Sequence, residues 1–137
     1  GVQLEVGSTA TAFEWRPFTT EFQLCQRYFE KSYDVTTVAG STTDKGLSIW
    51  GGTSNSGNNQ YLTIPFRVDK RTSPTMTYYN DTSGGGSAWN YGRSATSGTA
   101  TPNTGDMGNS GAYVTVNVGA AWVPCFSYGH WTASSEL

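Results

Sequence analysis

The sequence is poor in charge, and this narrows the kinds of partner that it can bind. Charged residues make up 13% of the 137 residues, roughly half of their share in an average soluble domain. The net charge is −2, and no basic stripe runs along the chain. A protein that binds nucleic acid needs Lys and Arg against the phosphates. The composition therefore gives no support to nucleic-acid binding.

Residues that usually carry catalysis or hold metals are also scarce. His130 is the only histidine, no G-x-S-x-G turn accompanies it, and the chain has two cysteines, Cys25 and Cys125, far apart in sequence. Neither a zinc-site spacing nor an EF-hand loop is present. The ten acidic residues are scattered, whereas glycoside hydrolysis needs two carboxylates roughly 5 to 10 Å apart. We expect no enzyme activity, no metal and no cofactor. We expect both cysteines to be buried free thiols, and the alternative is a disulfide between them.

Long apolar runs are missing as well. No stretch reaches the roughly 18 apolar residues of a membrane span, and no secretory signal opens the chain, so we expect no membrane insertion. Gly1 stands where an initiator Met is usual, and the run 2–6 already resembles a strand. We therefore expect a fragment from the C-terminal end of a longer protein. Residues 1–19 are then a strand and linker from an upstream module, and residues 20–137 are the C-terminal domain.

Aromatic and loop-forming residues are abundant instead. Aromatics reach 14%, and there are 17 glycines. Apolar and polar residues alternate with the period of a strand that has one buried face. The ranges that we predict as strands are 33–38, 47–50, 61–69, 75–79, 88–93, 112–118 and 120–131. We predict loops over 51–59 and 80–111. The second loop is interrupted only by the short strand near 88–93. The pattern favours an all-β fold, an antiparallel β-sandwich of seven or eight strands.

One segment, Thr20–Ser32, has helical periodicity. Its apolar residues fall on two neighbouring stripes, Phe22, Cys25 and Phe29 on one, and Leu24 and Tyr28 on the other. Thr20 and Gln23 have the spacing of a capping box. We predict one short N-terminal α-helix over this range. The two stripes are wider than one sandwich edge requires, so we expect the helix to contact a neighbouring subunit too.

The glycine-rich loops contain the side-chain types that proteins use to bind sugars. Aromatic rings stack on the apolar face of a sugar, and amide, carboxylate and guanidinium groups bind its hydroxyls. The candidate glycan-binding residues are Asp81, Trp89, Asn90, Tyr91 and Arg93, with Trp50 and Asn58 as a weaker second group. The alternative is that Trp89 and Tyr91 cover the edge of the sandwich or fill an interface. For Trp122 and Trp131 we expect a place in the core or in an interface.

Three phrases of the sequence resemble the C-terminal domain of tail fibres and tailspikes of tailed bacteriophages. They are QLEVGS followed by AT and FE within 3–14, LCQRYF at 24–29, and GHWTASSEL at 129–137. The resemblance covers the chain nearly end to end, except for the middle loops. The chain departs from the family pattern at Trp15, where the family often has His, and at Ser134 and Ser135, which replace Asp and Ala.

The resemblance implies a jelly-roll-like β-sandwich that forms a homotrimer at the tip of a fibre. Such a domain would bind a bacterial surface polysaccharide or lipopolysaccharide during host attachment, and the protein would reside in the virion. Low charge and abundant aromatics suit a buried interface between three chains. The residues expected at that interface are Trp15, Phe22, Cys25, Tyr28 and Phe29. The alternatives are a purely structural trimerisation cap without receptor contact and a polysaccharide depolymerase.

Overall fold

The structure, a computed structural model, describes residues 6–9, 11–12, 15–93 and 96–135. In these ranges the chain forms one helix and nine strands. They are α1 (Phe18–Gln26), β1 (Phe29–Lys31), β2 (Ser48–Thr53), β3 (Asn59–Pro65), β4 (Thr75–Tyr79), β5 (Trp89–Arg93), β6 (Thr96–Ala100), β7 (Asn103–Met107), β8 (Gly111–Asn117) and β9 (Pro124–Ser134). Every strand pair is antiparallel. The prediction of an all-β fold with one short helix near the start is confirmed.

The larger sheet is organised around β9, which is 11 residues long. The N-terminal half of β9 lies between β2 and β5, and its C-terminal half lies between β1 and β4. β6 extends this six-stranded sheet beside β5. The second sheet has three strands in the order β3-β8-β7. Because β9 has a neighbour on each side along most of its length, its side chains decide what the two faces of the larger sheet present.

The core is built from both sheets, as in a β-sandwich. β3 and β8 alternate between buried and exposed residues, as their period-2 patterns predict. Ile64 and Val114 of the smaller sheet pack in one cluster with Trp89 and Trp131 of the larger sheet. Trp89 is fully buried, and its indole Nε1 donates a hydrogen bond to the carbonyl of His130 at 2.8 Å.

The helix differs from its prediction at both ends. It begins at Phe18, within the predicted linker, with Pro17 at the N-cap and no side-chain cap, so the capping box of Thr20 is not formed. It ends at Gln26, and 29–31 become β1. The carbonyl of Gln26 accepts a hydrogen bond from the Lys70 ammonium, and the carbonyl of Tyr28 accepts one from the backbone N–H of Ser135. Partners distant in sequence thus replace the next helical turn.

Several strand predictions need correction. Residues 33–38 form turns rather than a strand, and β2 continues to Thr53, into the predicted loop 51–59. The predicted loop 80–111 contains β6 and β7 in addition to the expected β5. β9 begins at Pro124, after a turn over 119–122, and β3 ends at Pro65. Both prolines therefore stand at strand ends, where the missing backbone N–H costs little stability. The strand predicted over 2–6 lies outside the described residues except for Val6.

Candidate functional site

Two aromatic rings stand side by side on the outer face of β9. Phe126 and Tyr128 alternate with the buried residues Cys125 and Ser127, so they project away from the core. The ring centroids lie 5.8 Å apart, and the ring planes differ by 19°. Phe126 retains 49% of its surface exposed, which is a large apolar area to leave in water. The pair forms a flat apolar platform.

The neighbouring strands leave this platform uncovered. Gly51 of β2 and Gly92 of β5 are the residues opposite Phe126 in the two ladders. A Cβ placed on Gly92 would lie 2.2 Å from Cζ of Phe126, whereas a Cβ placed on Gly51 would meet open space. The ring of Phe126 therefore lies directly over Gly92, and only a residue without a side chain permits that position.

The platform forms one wall of an open groove of about 650 Å³, which we call the β9 groove. Its lining residues are Asp44, Gly46, Leu47, Ile49, Asp81, Phe126 and Tyr128. Ile49 is opposite Tyr128 in the ladder between β2 and β9, and it extends the apolar wall. The two aspartates add hydrogen-bond acceptors to a mostly apolar surface. This combination of an apolar wall and a few polar groups is typical of ligand sites.

Asp81 is held in place by a network that joins its loop to β5. Oδ1 of Asp81 accepts a hydrogen bond from Nδ2 of Asn90 at 2.7 Å, and Oδ1 of Asn90 accepts one from Nδ2 of Asn80 at 2.9 Å. Oδ1 of Asn80 in turn accepts from the backbone N–H groups of Thr82 and Ser83. The network gives the carboxylate of Asp81 one position, because each amide in it is engaged by a neighbour.

The loop that contributes Asp44 is anchored by His130. The imidazole is fully buried and stacks on Tyr33, with centroids 3.8 Å apart. Its Nε2 donates to the carbonyl of Thr43 at 2.8 Å, and its Nδ1 is hydrogen-bonded to the hydroxyl of Ser32 at 3.0 Å. Burial raises the pKa of Tyr33 above its ordinary value. The only histidine is thus a packed residue that positions the chain next to Asp44.

The structure separates the predicted glycan-binding residues. Asp81 lines the β9 groove, and Asn90 lies on the same face of the sheet, opposite Tyr128. Trp89 belongs to the core, so its ring is not available for stacking on a ligand. The remaining predicted residues are only partly exposed and do not line this groove; they are Trp50, Asn58, Tyr91 and Arg93.

Of the seven residues that line the groove, the sequence predicted only Asp81; the other six are Asp44, Gly46, Leu47, Ile49, Phe126 and Tyr128. The alternation of Phe126 and Tyr128 with small residues was a usable signal, because it places two rings on one face of a strand. The signal was incomplete, since only strand pairing shows which face is buried. Asp44 and Asp81 come from loops, and their approach to the groove has no local sequence signal.

A second apolar surface surrounds α1. A smaller cavity of about 280 Å³ is bordered by Phe22, Cys25 and Phe29, which are three of the residues predicted for the trimer interface. Exposed rings continue this surface: Phe18 is 73% exposed, and its ring stacks on that of Phe22. The other two predicted interface residues, Trp15 and Tyr28, are exposed. We call this the α1 surface.

The two cysteines are free thiols, as predicted, but only one is buried. Cys125 faces the core, and burial raises the pKa of its thiol. Cys25 is exposed on the α1 surface, so its predicted burial within the single chain is wrong. The physical reason is that α1 packs on the domain through Gln26, its buried residue, rather than through the stripe that contains Cys25.

Among the described residues, no group of three or more His, Cys, Asp or Glu side chains is placed to hold a metal ion. Within the same ranges, no helix has the length and apolar character to cross a membrane. No family model matches the chain, and no curated protein or solved structure matches it either.

Proposed function

We propose that this protein is the C-terminal domain of a phage tail fibre or tailspike, that it binds a bacterial surface glycan in the β9 groove, and that it assembles as a homotrimer. The observation that carries the glycan-binding role is the exposed, stacked pair of Phe126 and Tyr128 beside the carboxylates of Asp44 and Asp81. The motif resemblance supports the phage context, in which the protein would reside in the virion. The jelly-roll-like connectivity and the domain boundary near residue 20 remain predictions.

The chemistry of the groove suits a sugar. A pyranose has apolar C–H faces that stack on aromatic rings and hydroxyls that donate hydrogen bonds to carboxylates. We propose binding without catalysis. The one histidine supports this, because both of its ring nitrogens are engaged and it is fully buried, so it is not free to act as a base.

Phe126→Ala is expected to weaken binding to purified lipopolysaccharides and capsular polysaccharides by about tenfold or more, since it removes half of the stacking platform. The measurement is surface plasmon resonance on a panel of bacterial glycans. The matched control is Tyr113→Ala. Tyr113 also belongs to an exposed stacked pair, with Tyr61 at 5.7 Å, but on the smaller sheet and away from the β9 groove. Equal binding by wild type and Phe126→Ala would contradict the proposed site.

Two glycine variants test whether glycan binding depends on the position of the Phe126 ring. Gly92→Ala would displace the Phe126 ring, because the added Cβ overlaps it, while Gly51→Ala adds a Cβ in open space. Gly92→Ala is expected to reduce glycan binding as Phe126→Ala does, and Gly51→Ala is expected to fold normally and bind nearly as wild type. Circular dichroism of both variants checks that the fold is retained.

The α1 surface favours trimerisation as the second role. Its exposed rings would be costly in water in an isolated chain, and association of three chains would bury them. This surface is also the basis of the alternative in which the domain is only a structural cap. That alternative predicts trimers whose assembly is unaffected by Phe126→Ala and which bind no glycan.

Cys25 provides a direct probe of this interface. In a trimer built through the α1 surface, Cys25 is expected to react slowly with a thiol reagent, whereas Phe18→Asp, at an exposed ring of that surface, is expected to give monomers in which Cys25 reacts rapidly. Cys125 should react in both only after unfolding, because it is buried and its pKa is raised. Size-exclusion chromatography with light scattering measures the assembly, and Val38→Asp, at an exposed apolar residue outside α1, is the control. Monomeric wild type at micromolar concentration would contradict the trimer.

A further inference from the structure

The charged side chains that line the β9 groove are all negative. Asp44 and Asp81 line the groove, and no Lys, Arg or His is among its lining residues in the described part of the chain. Lys45 follows Asp44 in sequence but does not contribute to the lining. A charged ligand therefore meets two carboxylates without a compensating cation. Like charges brought together at a binding surface oppose association, and opposite charges favour it.

Asp81 is built into the structure rather than loosely solvated. It is only 8% exposed, and its Oδ1 is occupied by Asn90. Its second oxygen, Oδ2, accepts no hydrogen bond from any residue that the structure describes, and it is not among the buried unpaired side-chain atoms of those residues, so it reaches solvent at the groove. A carboxylate oxygen that faces a groove binds charge-assisted donors best. A ligand that enters the groove is placed to supply one.

We infer that the β9 groove selects its glycan by charge. It prefers sugars with a free amino group over N-acetylated sugars, and it rejects sugars that carry carboxylates or phosphates. This inference rests on the proposed glycan-binding function and names the ligand class of that same site. An ammonium group donates to Oδ2 of Asp81 and lies next to the faces of Phe126 and Tyr128, which also attract cations.

The test is binding to an array that carries oligomers of glucosamine, N-acetylglucosamine and galacturonic acid of equal length, together with bacterial polysaccharides. Wild type at low salt is expected to bind glucosamine oligomers about tenfold more tightly than N-acetylglucosamine oligomers, the effect of one charge-assisted hydrogen bond. Galacturonic acid oligomers are expected to show no binding. Added salt should reduce the preference for the amine, since salt screens charge.

Asp81→Asn is the decisive variant. It retains an Oδ1 acceptor for Asn90 but removes the charge, so the affinity for glucosamine oligomers should fall to within about twofold of that for N-acetylglucosamine oligomers. Asp106→Asn, at an exposed acid on β7, is the control and should keep the preference.

The outcomes separate the two claims. Galacturonic acid binding as tight as N-acetylglucosamine binding, or an unchanged preference in Asp81→Asn, overturns the charge selection but leaves glycan binding intact. Absence of binding to the glucosamine and N-acetylglucosamine oligomers, with binding to the bacterial polysaccharides retained, overturns the charge selection alone. Absence of binding to every glycan on the array contradicts both claims. Where bacterial polysaccharides are bound, the effect of Phe126→Ala on that binding tests the proposed site independently.

Discussion

Lys70→Ala is expected to destabilise the protein by about 3 to 5 kcal/mol, because it breaks a buried ion pair and leaves its partner charge without compensation. Lys70 is 2% exposed and Glu30 is 3% exposed. The ammonium donates to Oε2 of Glu30 at 2.6 Å, to the carbonyl of Gln26 at 2.6 Å and to the carbonyl of Val68 at 2.8 Å. All three ammonium protons are therefore used, and one of them holds the last turn of α1.

Urea unfolding followed by circular dichroism measures this effect. The double variant Lys70→Met with Glu30→Gln is expected to recover part of the stability, because no buried charge remains. In the wild type the backbone N–H of Arg67 donates a hydrogen bond to Glu30, and the Gln side chain can still accept that bond. Lys45→Ala, at an exposed lysine, should change stability by less than about 0.5 kcal/mol. A loss of less than about 1 kcal/mol in Lys70→Ala would show that water reaches the pair and solvates it.

Trp89→Ala is expected to cost about 3 to 5 kcal/mol, since it empties the volume of the largest fully buried side chain. It also removes the hydrogen bond from Nε1 to the carbonyl of His130. The control is Trp122→Ala, because Trp122 is 71% exposed and should contribute little. If Trp89 contacted a ligand rather than the core, its removal would change binding and leave the unfolding midpoint nearly unchanged.

The same contact can be tested from the opposite side. A Cβ on Gly129 would lie 2.2 Å from Cδ1 of Trp89, so Gly129→Ala is expected to overpack the core and destabilise it by about 1 to 3 kcal/mol. Combined with Trp89→Ala, the extra methyl group enters the cavity left by the indole. The double variant is therefore expected to be more stable than the sum of the two single losses predicts. Additive losses would contradict direct packing of Trp89 on Gly129.

Strands with a clear hydrophobic period could be predicted, and strands without one could not. β4 was predicted with its observed bounds and β8 to within one residue at each end, whereas the strand predicted over 61–69 is β3 at Asn59–Pro65, which starts two residues and ends four residues earlier. In β3 and β8 every second residue is buried. β6 and β7 consist mostly of Thr, Ser, Gly, Asn and Asp, which resemble loop residues in sequence. Their strand conformation comes from pairing with β5 and β8 rather than from local preference.

The candidate site was predicted only in part, for a related reason. A tryptophan in a glycine-rich segment suits either a sugar platform or a core, and the choice depends on which face of the sheet it occupies. Trp89 and Asn90 are adjacent in sequence, yet pairing with β9 turns the first into the core and the second toward Tyr128. A shift of one residue in register would exchange the two faces.

By itself, the sequence determined the all-β class, the helix near the start, the alternating strands β3, β4 and β8, and the scarcity of charge and of metal ligands, because each follows from composition or from short-range periodicity. Only the tertiary structure decided where α1 ends, that Lys70 and Glu30 form a buried pair, and that Phe126, Tyr128, Asp44 and Asp81 share one groove. Those features depend on contacts between residues 30 to more than 80 positions apart, which are made by strand pairing and packing and leave no local pattern in the chain.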